Sequence, residues 1–273
     1  MTGDLRPAPV LELCGAALSF ADRVVWSDLD LQVRPGEFLA VLGANGSGKT
    51  SLLRAVLGLQ RLTAGQVLVG GEPARRGSHL IGYIPQQRRI EQFTPLRARD
   101  VVGLGIDGHR WGIGWPNRSR RRQLERALAE VGALEYADLP VGVLSGGEQQ
   151  RVRIAQALAT DPELLLCDEP LLSLDLNHQQ AITALVDQRR REAGTAVVFV
   201  THEINPVLPY VDRVLYLAGG KFSVGTVDEV MTSRTLSALY GVPIEVLRSG
   251  GRVIVAGVPD THVHELDHLQ ASS

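Results

Sequence analysis

Apolar and polar positions divide the chain into short strands and amphipathic helices. Residues 10–20 and 24–33 read as two strands joined by a turn at 21–23, the second alternating apolar and polar positions. Arg34-Pro35-Gly36-Glu37 is a turn. Residues 38–42 form a short continuous apolar run, the pattern of a strand buried on both faces. A glycine-rich loop follows, then a helix over about 48–57, and short strands at 66–69 and 80–84.

From about residue 90 to 143 the strand signal stops and arginine rises; Leu124, Leu128 and Val131 share one helical face within 123–131. A helix over 147–159, ending near Asp161-Pro162, leads to a buried strand at 164–167. A second helix over 177–192 stops at Gly194, before apolar strands at 196–200 and 214–217. The recurrence of strand, helix and strand predicts an α/β fold, a mainly parallel sheet with helices on both faces. The first two strands are antiparallel, and the arginine-rich stretch is a helical subdomain inserted into the core. From Gly225 onward a short helix and a hairpin across Ser249-Gly250-Gly251 form an add-on, followed by a loose tail. The expected organisation is a core first part (1–89), a helical subdomain (90–146), a core second part (147–224), a C-terminal extension (225–258) and a tail (259–273).

Composition changes this picture little. Hydrophobic residues make up 44%, charged residues 21%, and the net charge is -2, an ordinary globular profile. Nucleic acid is excluded as the favoured partner by that charge, and by an aromatic content of 5% that leaves few base-stacking platforms. Cys14 and Cys167 are far apart and sit in apolar strands, so both are expected to be buried thiols in a reducing compartment. The first ten residues lack a basic region followed by an apolar stretch, and no run of about 18 apolar residues occurs, so neither a secretory leader nor a membrane span is expected. Lysine occurs only as Lys49 and Lys221, which makes a lysine inside a glycine loop conspicuous.

That loop, GANGSGKT over Gly43–Thr50, fits G-x-x-x-x-G-K-[ST] between a buried strand and a helix. Gly43, Gly46 and Gly48 let backbone N–H groups close round phosphate oxygens, and the helix N-terminus adds partial positive charge. Lys49 reaches terminal phosphates and the Thr50 hydroxyl suits Mg²⁺. With Ala44, Asn45, Ser47 and Ser51 they form the expected nucleotide-triphosphate site. LLLCDEP ends a buried strand in two acids, which project into the crevice where α/β sheets bind ligands. Asp168 is placed to hold Mg²⁺ and Glu169 to orient or deprotonate a water. In LSGGEQQR, Ser145, Gly146 and Gly147 open a helix with bare backbone amides, an anion site.

Together these segments resemble the ATP-binding subunits of ABC transporters over nearly the whole chain. The resemblance implies a P-loop NTPase core and ATP with Mg²⁺ as cofactors. It also implies a dimer in which the signature residues Ser145, Gly146, Gly147 and Glu148 of one copy face the ATP held by the other; many members carry glutamine where this chain has Glu148. It likens IGYIPQQ to the Q-loop, with Gln86 touching Mg²⁺ or water, so that Mg²⁺ is expected at Thr50, Gln86 and Asp168. SLD is likened to the D-loop, with Asp175 at the dimer interface, and FVTHE to the switch segment, with His202 contacting the γ-phosphate. Phe20 falls where the family places an adenine-stacking aromatic, with Trp26 a nearby competitor.

One phosphate loop and one signature per chain imply a pair, a homodimer in the simplest case. A separate membrane permease is implied as partner, with the chain peripheral on the cytoplasmic face of a prokaryotic membrane. LLSLDLNHQQAI, THEINPVLPYVDRVLYL and LYGVPIEVLRSGGRVIVAG look like the zinc or manganese uptake subfamily, which works with a permease and an extracellular metal-binding protein. Iron-chelate importers are the nearest alternative, with exporters and soluble non-transport ABC ATPases behind. The tail THVHELDH brings His262, His264 and His268 together, either a solvated tail or a transition-metal site. The basic stretch over 109–122 reads as a solvated loop and helix start, or as a contact for lipid headgroups or permease loops.

Overall fold

The computed structural model describes residues 7–21, 23–86, 94–107 and 118–257. In chain order its elements are β1 (Leu11–Phe20), β2 (Arg23–Val33), β3 (Phe38–Gly43), α1 (Lys49–Val56), β4 (Ala64–Val69), β5 (Glu72–Pro73), β6 (Ile81–Ile84), α2 (Ala98–Asp107), α3 (Arg118–Glu130), α4 (Gly146–Leu158), β7 (Leu164–Asp168), α5 (Leu176–Ala193), β8 (Ala196–Val200), β9 (Arg213–Ala218), β10 (Lys221–Gly225), α6 (Val227–Val230), α7 (Ser233–Tyr240), β11 (Glu245–Ser249) and β12 (Arg252–Ala256).

The central sheet has the order β10-β9-β3-β8-β7-β6. Five of its strands run parallel, and β10 closes one edge antiparallel to β9. β7 and β8 are buried at every position, because a parallel sheet covered on both faces leaves no strand residue facing water. A four-stranded antiparallel sheet, β2-β1-β4-β5, lies over one face. Leu11, Leu13, Leu18, Trp26 and Leu29 pack there with Leu39, Val41 and Leu53 in one apolar cluster. A second cluster covers the opposite face, where Phe38, Phe199 and Cys167 meet Leu124, Leu128, Val152 and Ile182 of the helices.

Four features differ from the sequence expectation. Cys14 is only half-buried, because β1 alternates and position 14 lies off the core face; Cys167 is buried as expected. β5 and β10 were not legible as strands: β5 is two exposed residues, and β10 is an edge strand without a fully buried position. α2 is an additional helix of the segment between the strands, inserting Val101 and Val102 into the second cluster. The expected single helix after Gly225 is two, each opened by a threonine cap, Thr226 and Thr232. The hairpin β11–β12 turns at Gly250 and Gly251, both at positive φ. Among the described residues no helix is long and apolar enough to cross a membrane.

Candidate nucleotide site and signature surface

The loop between β3 and α1 is held by packing as much as by its own turns. Gly43 sits at φ 142, and a Cβ there would lie 2.1 Å from the Leu217 carbonyl oxygen on the neighbouring strand. Gly48 caps α1 at φ 98, and a Cβ there would lie 2.3 Å from Val25 Cγ1 and 3.0 Å from the Trp26 ring. Gly46, at φ 75, has only Arg23 Nη2 within reach among the described residues, at 3.9 Å. Gly43 and Gly48 are therefore demanded by the two sheets that clasp the loop, and Gly46 is the glycine whose missing side chain leaves open space.

Lys49 folds back over the loop. Its Nζ donates to the Gly43 carbonyl at 2.7 Å and to the Ala44 carbonyl at 3.0 Å, and the residue is 6% exposed. Burial pushes its ammonium pKa down, against the nearby Glu169 and Asp168 carboxylates, which raise it. The first turn of α1 has no acidic residue, so its unpaired amides and the lysine face the same opening as a positive site. That opening is a cleft of about 430 Å³ lined by Phe20, Arg23, Val25, Asn45, Gly46, Gly48, Lys49, Thr50, Ser51, Gln86 and Glu169. Arg23 Nη2 donates to the Gly46 carbonyl at 3.2 Å. The Ser47 hydroxyl is buried, with no hydrogen-bond partner among the described residues. Phe20 is 49% exposed at the mouth, whereas Trp26 is fully buried and has no face to offer a ligand.

The two acids at the end of β7 differ. Asp168 is 3% exposed; burial raises its pKa first, and the adjacent Glu169 raises it further. Tyr83 on the neighbouring strand β6 donates its hydroxyl to Asp168 Oδ2 at 3.4 Å, and burial beside that carboxylate pushes the phenol up to about 12. Glu169 takes φ 47, the left-handed region, and its N–H donates to the Val200 carbonyl at 3.0 Å. A non-glycine residue held there is strained, a feature that concentrates at functional sites. The turn directs the Glu169 carboxylate into the cleft, with Oε2 3.7 Å from His202 Nδ1. Thr201 fixes the histidine's turn: its hydroxyl donates to the Glu203 carbonyl at 2.9 Å and accepts the Glu203 N–H at 3.2 Å.

Among the described residues no group of three or more His, Cys, Asp or Glu side chains is placed to hold a metal. The cleft instead offers the oxygen donors of Thr50, Gln86 and the partly buried Glu169, next in sequence to the buried Asp168. Two crowded carboxylates with few protein donors suit Mg²⁺, a hard cation that keeps waters and takes phosphate oxygens as ligands.

Ser145, Gly146, Gly147, Glu148 and Asp175 line neither this cleft nor the small cavity between Glu169 and His202. They stand at the starts of α4 and α5, where Ser145, Gly146 and Asp175 are exposed and Gly147 is buried. Ser145 caps α4, its Oγ accepting the Glu148 N–H at 3.3 Å, while Glu148 Oε2 accepts the Ser145 N–H at 2.7 Å. Glu148 thus closes a capping box and is committed to its own helix. Asp175 caps α5, accepting the His178 N–H at 3.0 Å and lying 2.6 Å from His178 Nδ1. Those bonds hold its carboxyl below the usual range, the backbone bond contributing most. His262, His264 and His268 lie outside the described residues, as does most of the basic stretch; within it Arg120 pairs with Asp107 and Arg121 with Glu125.

Three residues with roles here were not picked out from the sequence. Tyr83 needed the pairing of β6 with β7, and His178 needed the approach of α5 to α4. Asn205 needed the return of the C-terminal hairpin: its side-chain amide donates to the Val253 carbonyl and accepts the Val253 N–H, each at 2.9 Å, three residues after His202.

A phosphate loop on a parallel sheet, with an acidic strand end beneath it, defines the fold as that of a P-loop NTPase. The sequence model described as ABC transporter matches residues 26–172. The manganese transport system ATP-binding protein MntB of Halalkalibacterium halodurans is 33% identical over 253 residues, covering 92% of this chain and 99% of that one. The zinc import ATP-binding protein ZnuC of Yersinia enterocolitica is 37% identical, covering 82% of each chain. The iron(3+)-hydroxamate import ATP-binding protein FhuC of Bacillus subtilis is 34% identical, covering 84% of this chain and 87% of that one. Among solved structures, a metal-chelate type ABC transporter in an inward-facing conformation superimposes with a TM-score of 0.77 at 27% identity, over 90% of this chain and 96% of that one. The chain belongs to the ABC transporter family, as an ATP-binding subunit whose ATPase activity is coupled to transport.

Proposed function

We propose that this subunit powers the import of a divalent transition metal, zinc or manganese, through a separate membrane permease. The observation that carries the reading is the reach of the match to the manganese protein. At 92% of the chain it extends far past residue 172, where the general family match ends. The C-terminal extension is therefore shared as well as the nucleotide core. A second reading, import of an iron chelate, is favoured by the hydroxamate importer at 34% identity. In either case the subunit lies at the cytoplasmic face of a prokaryotic membrane, its permease supplied by an extracellular metal-binding protein.

In the reaction we assign, Phe20 stacks on adenine. Ala44, Asn45, Gly46, Ser47, Gly48, Lys49, Thr50 and Ser51 surround the phosphates, with Gly43 fixing the loop to β9. Thr50, Gln86 and Asp168 would hold Mg²⁺, which would supply neutralisation of phosphate charge. Glu169 takes a proton from the attacking water, and His202, beside it, contacts the γ-phosphate. Ser145, Gly146 and Gly147 are not among the residues lining the cleft of their own chain, which supports their facing the ATP of a second copy, with Asp175 in that interface. Glu148 belongs to this loop as a cap.

The test is total cellular zinc, manganese and iron in cells lacking the gene, complemented with wild type or with Glu169→Gln. A deficit of zinc or manganese rescued by wild type alone supports the reading. An iron deficit selects the chelate alternative, a metal excess indicates export, and unchanged metals overturn metal transport altogether.

A further inference from the structure

The second signature glycine is not bare on the inside. A Cβ built on Gly147 would lie 2.2 Å from His178 Cδ2, 2.6 Å from Nε2 and 3.1 Å from Cγ. The imidazole edge therefore occupies the space a side chain at 147 would need. The ring is held in that position from its other side, where Nδ1 lies 2.6 Å from Asp175 Oδ2. A carboxylate only accepts, so Nδ1 carries the proton and donates, which orients the ring and turns the Nε2 edge to Gly147. Asp175 is itself fixed as the cap of α5 by the His178 N–H. The N-termini of α4 and α5 thus meet across one side chain, in the order Asp175 carboxylate, His178 imidazole, Gly147 backbone.

We infer that His178 is a positioning residue for the trans nucleotide contact: it sets the Gly147 amide at the start of α4 and links its place to Asp175. The inference rests on the proposal that Ser145, Gly146 and Gly147 face the ATP of a second copy. It adds a reason for the glycine at 147 that phosphate approach alone does not give, since the space is filled by the chain's own histidine before any nucleotide arrives. A displacement of Asp175 by the partner subunit moves the ring, and the ring moves the amide. The side chain of His178 is 47% exposed, so its truncation opens no core cavity and leaves the fold intact.

The test uses the full-length chain with Glu169→Gln as parent, so that bound ATP persists. His178→Ala, Gly147→Ala and the pair together are each added to it. Two quantities are read: ATP affinity of the monomer at low protein concentration, and the dissociation constant of the ATP-driven dimer. His178→Ala is expected to weaken the dimer about 10-fold while monomer affinity stays within about 2-fold. Gly147→Ala, which forces a Cβ into the imidazole, is expected to weaken it about 100-fold. The double variant removes the obstruction and is expected to return to the level of His178→Ala alone. A general structural defect would instead lower monomer ATP affinity and thermal stability along with dimerisation. His178→Gln, which keeps a polar reach toward Asp175 but not the ring edge, is expected to fall between parent and His178→Ala. A His178→Ala dimer as tight as the parent overturns the inference, and so does a double variant no better than Gly147→Ala. A parent that stays monomeric with ATP removes the trans reading itself, and the inference with it.

Discussion

Replacing each of two glycines of the phosphate loop by alanine separates packing from ligand binding within eight residues of chain. Gly43→Ala places a methyl 2.1 Å from a backbone carbonyl oxygen of β9 and 2.8 Å from Ser47 Oγ. The carbonyl cannot retreat, because Gly43 and Leu217 are register partners in the central sheet. The φ of 142 adds a conformation that only glycine adopts readily, costing about 1–3 kcal/mol, and the overlap costs about 1–3 kcal/mol more. The sum is about 2–6 kcal/mol. Gly46→Ala carries only the left-handed penalty of about 1–2 kcal/mol, since its nearest neighbour is a flexible arginine tip at 3.9 Å. The assay is urea unfolding of the nucleotide-free protein, with ATP affinity measured alongside. Gly43→Ala is expected to lose stability and ATP binding together. Gly46→Ala is expected to lose no more than about 2 kcal/mol while ATP binding still weakens, because the methyl projects into the cleft. Equal stability losses, or the reverse order, would refute the assignment of the two glycines to different roles.

The same geometry governs two other variants. Asp168 has a raised pKa, so between the ordinary value of 3.8 and its native value the folded chain holds more protons than the unfolded one. Its ionisation therefore weakens the nucleotide-free fold as pH rises through that window. Asp168→Asn is expected to stabilise the nucleotide-free protein at pH 7 by about 1 kcal/mol, roughly 2–4 °C in melting temperature, while abolishing ATP hydrolysis; a lower melting temperature would contradict it. Asn205→Ala removes both bonds to Val253 and is expected to cost about 1–3 kcal/mol locally. Hydrogen exchange should then quicken over residues 245–256 without a matching change in β3 or β8, and uniform exchange would count against a local clamp.

What the sequence made legible was whatever is local. The apolar runs at 38–42, 164–167 and 196–200 are buried parallel strands because nothing but core surrounds them, and hydropathy alone reports that. The phosphate loop and the two acids stood out because their chemistry dictates residue type at fixed spacing. What stayed hidden depends on elements distant in the chain. The hold of Val25 and Trp26 on Gly48, and of Leu217 on Gly43, requires the stacking of two sheets. The histidine at 178 reads as an ordinary helix residue until α5 is seen against α4. β10 was invisible because a half-exposed edge strand has no apolar run, and Cys14 departs from expectation because the alternation of β1 puts position 14 off the core face. Glu148 acts locally by closing the cap with Ser145.

The most direct test of the account is single-turnover hydrolysis of labelled ATP by wild type and Glu169→Gln at saturating Mg²⁺. With the Glu169 carboxylate, proposed above to activate water, removed from its strained turn, the rate is predicted to fall by roughly 10²–10⁴, with ATP still bound. Hydrolysis by Glu169→Gln at close to the wild-type rate would contradict the site as described.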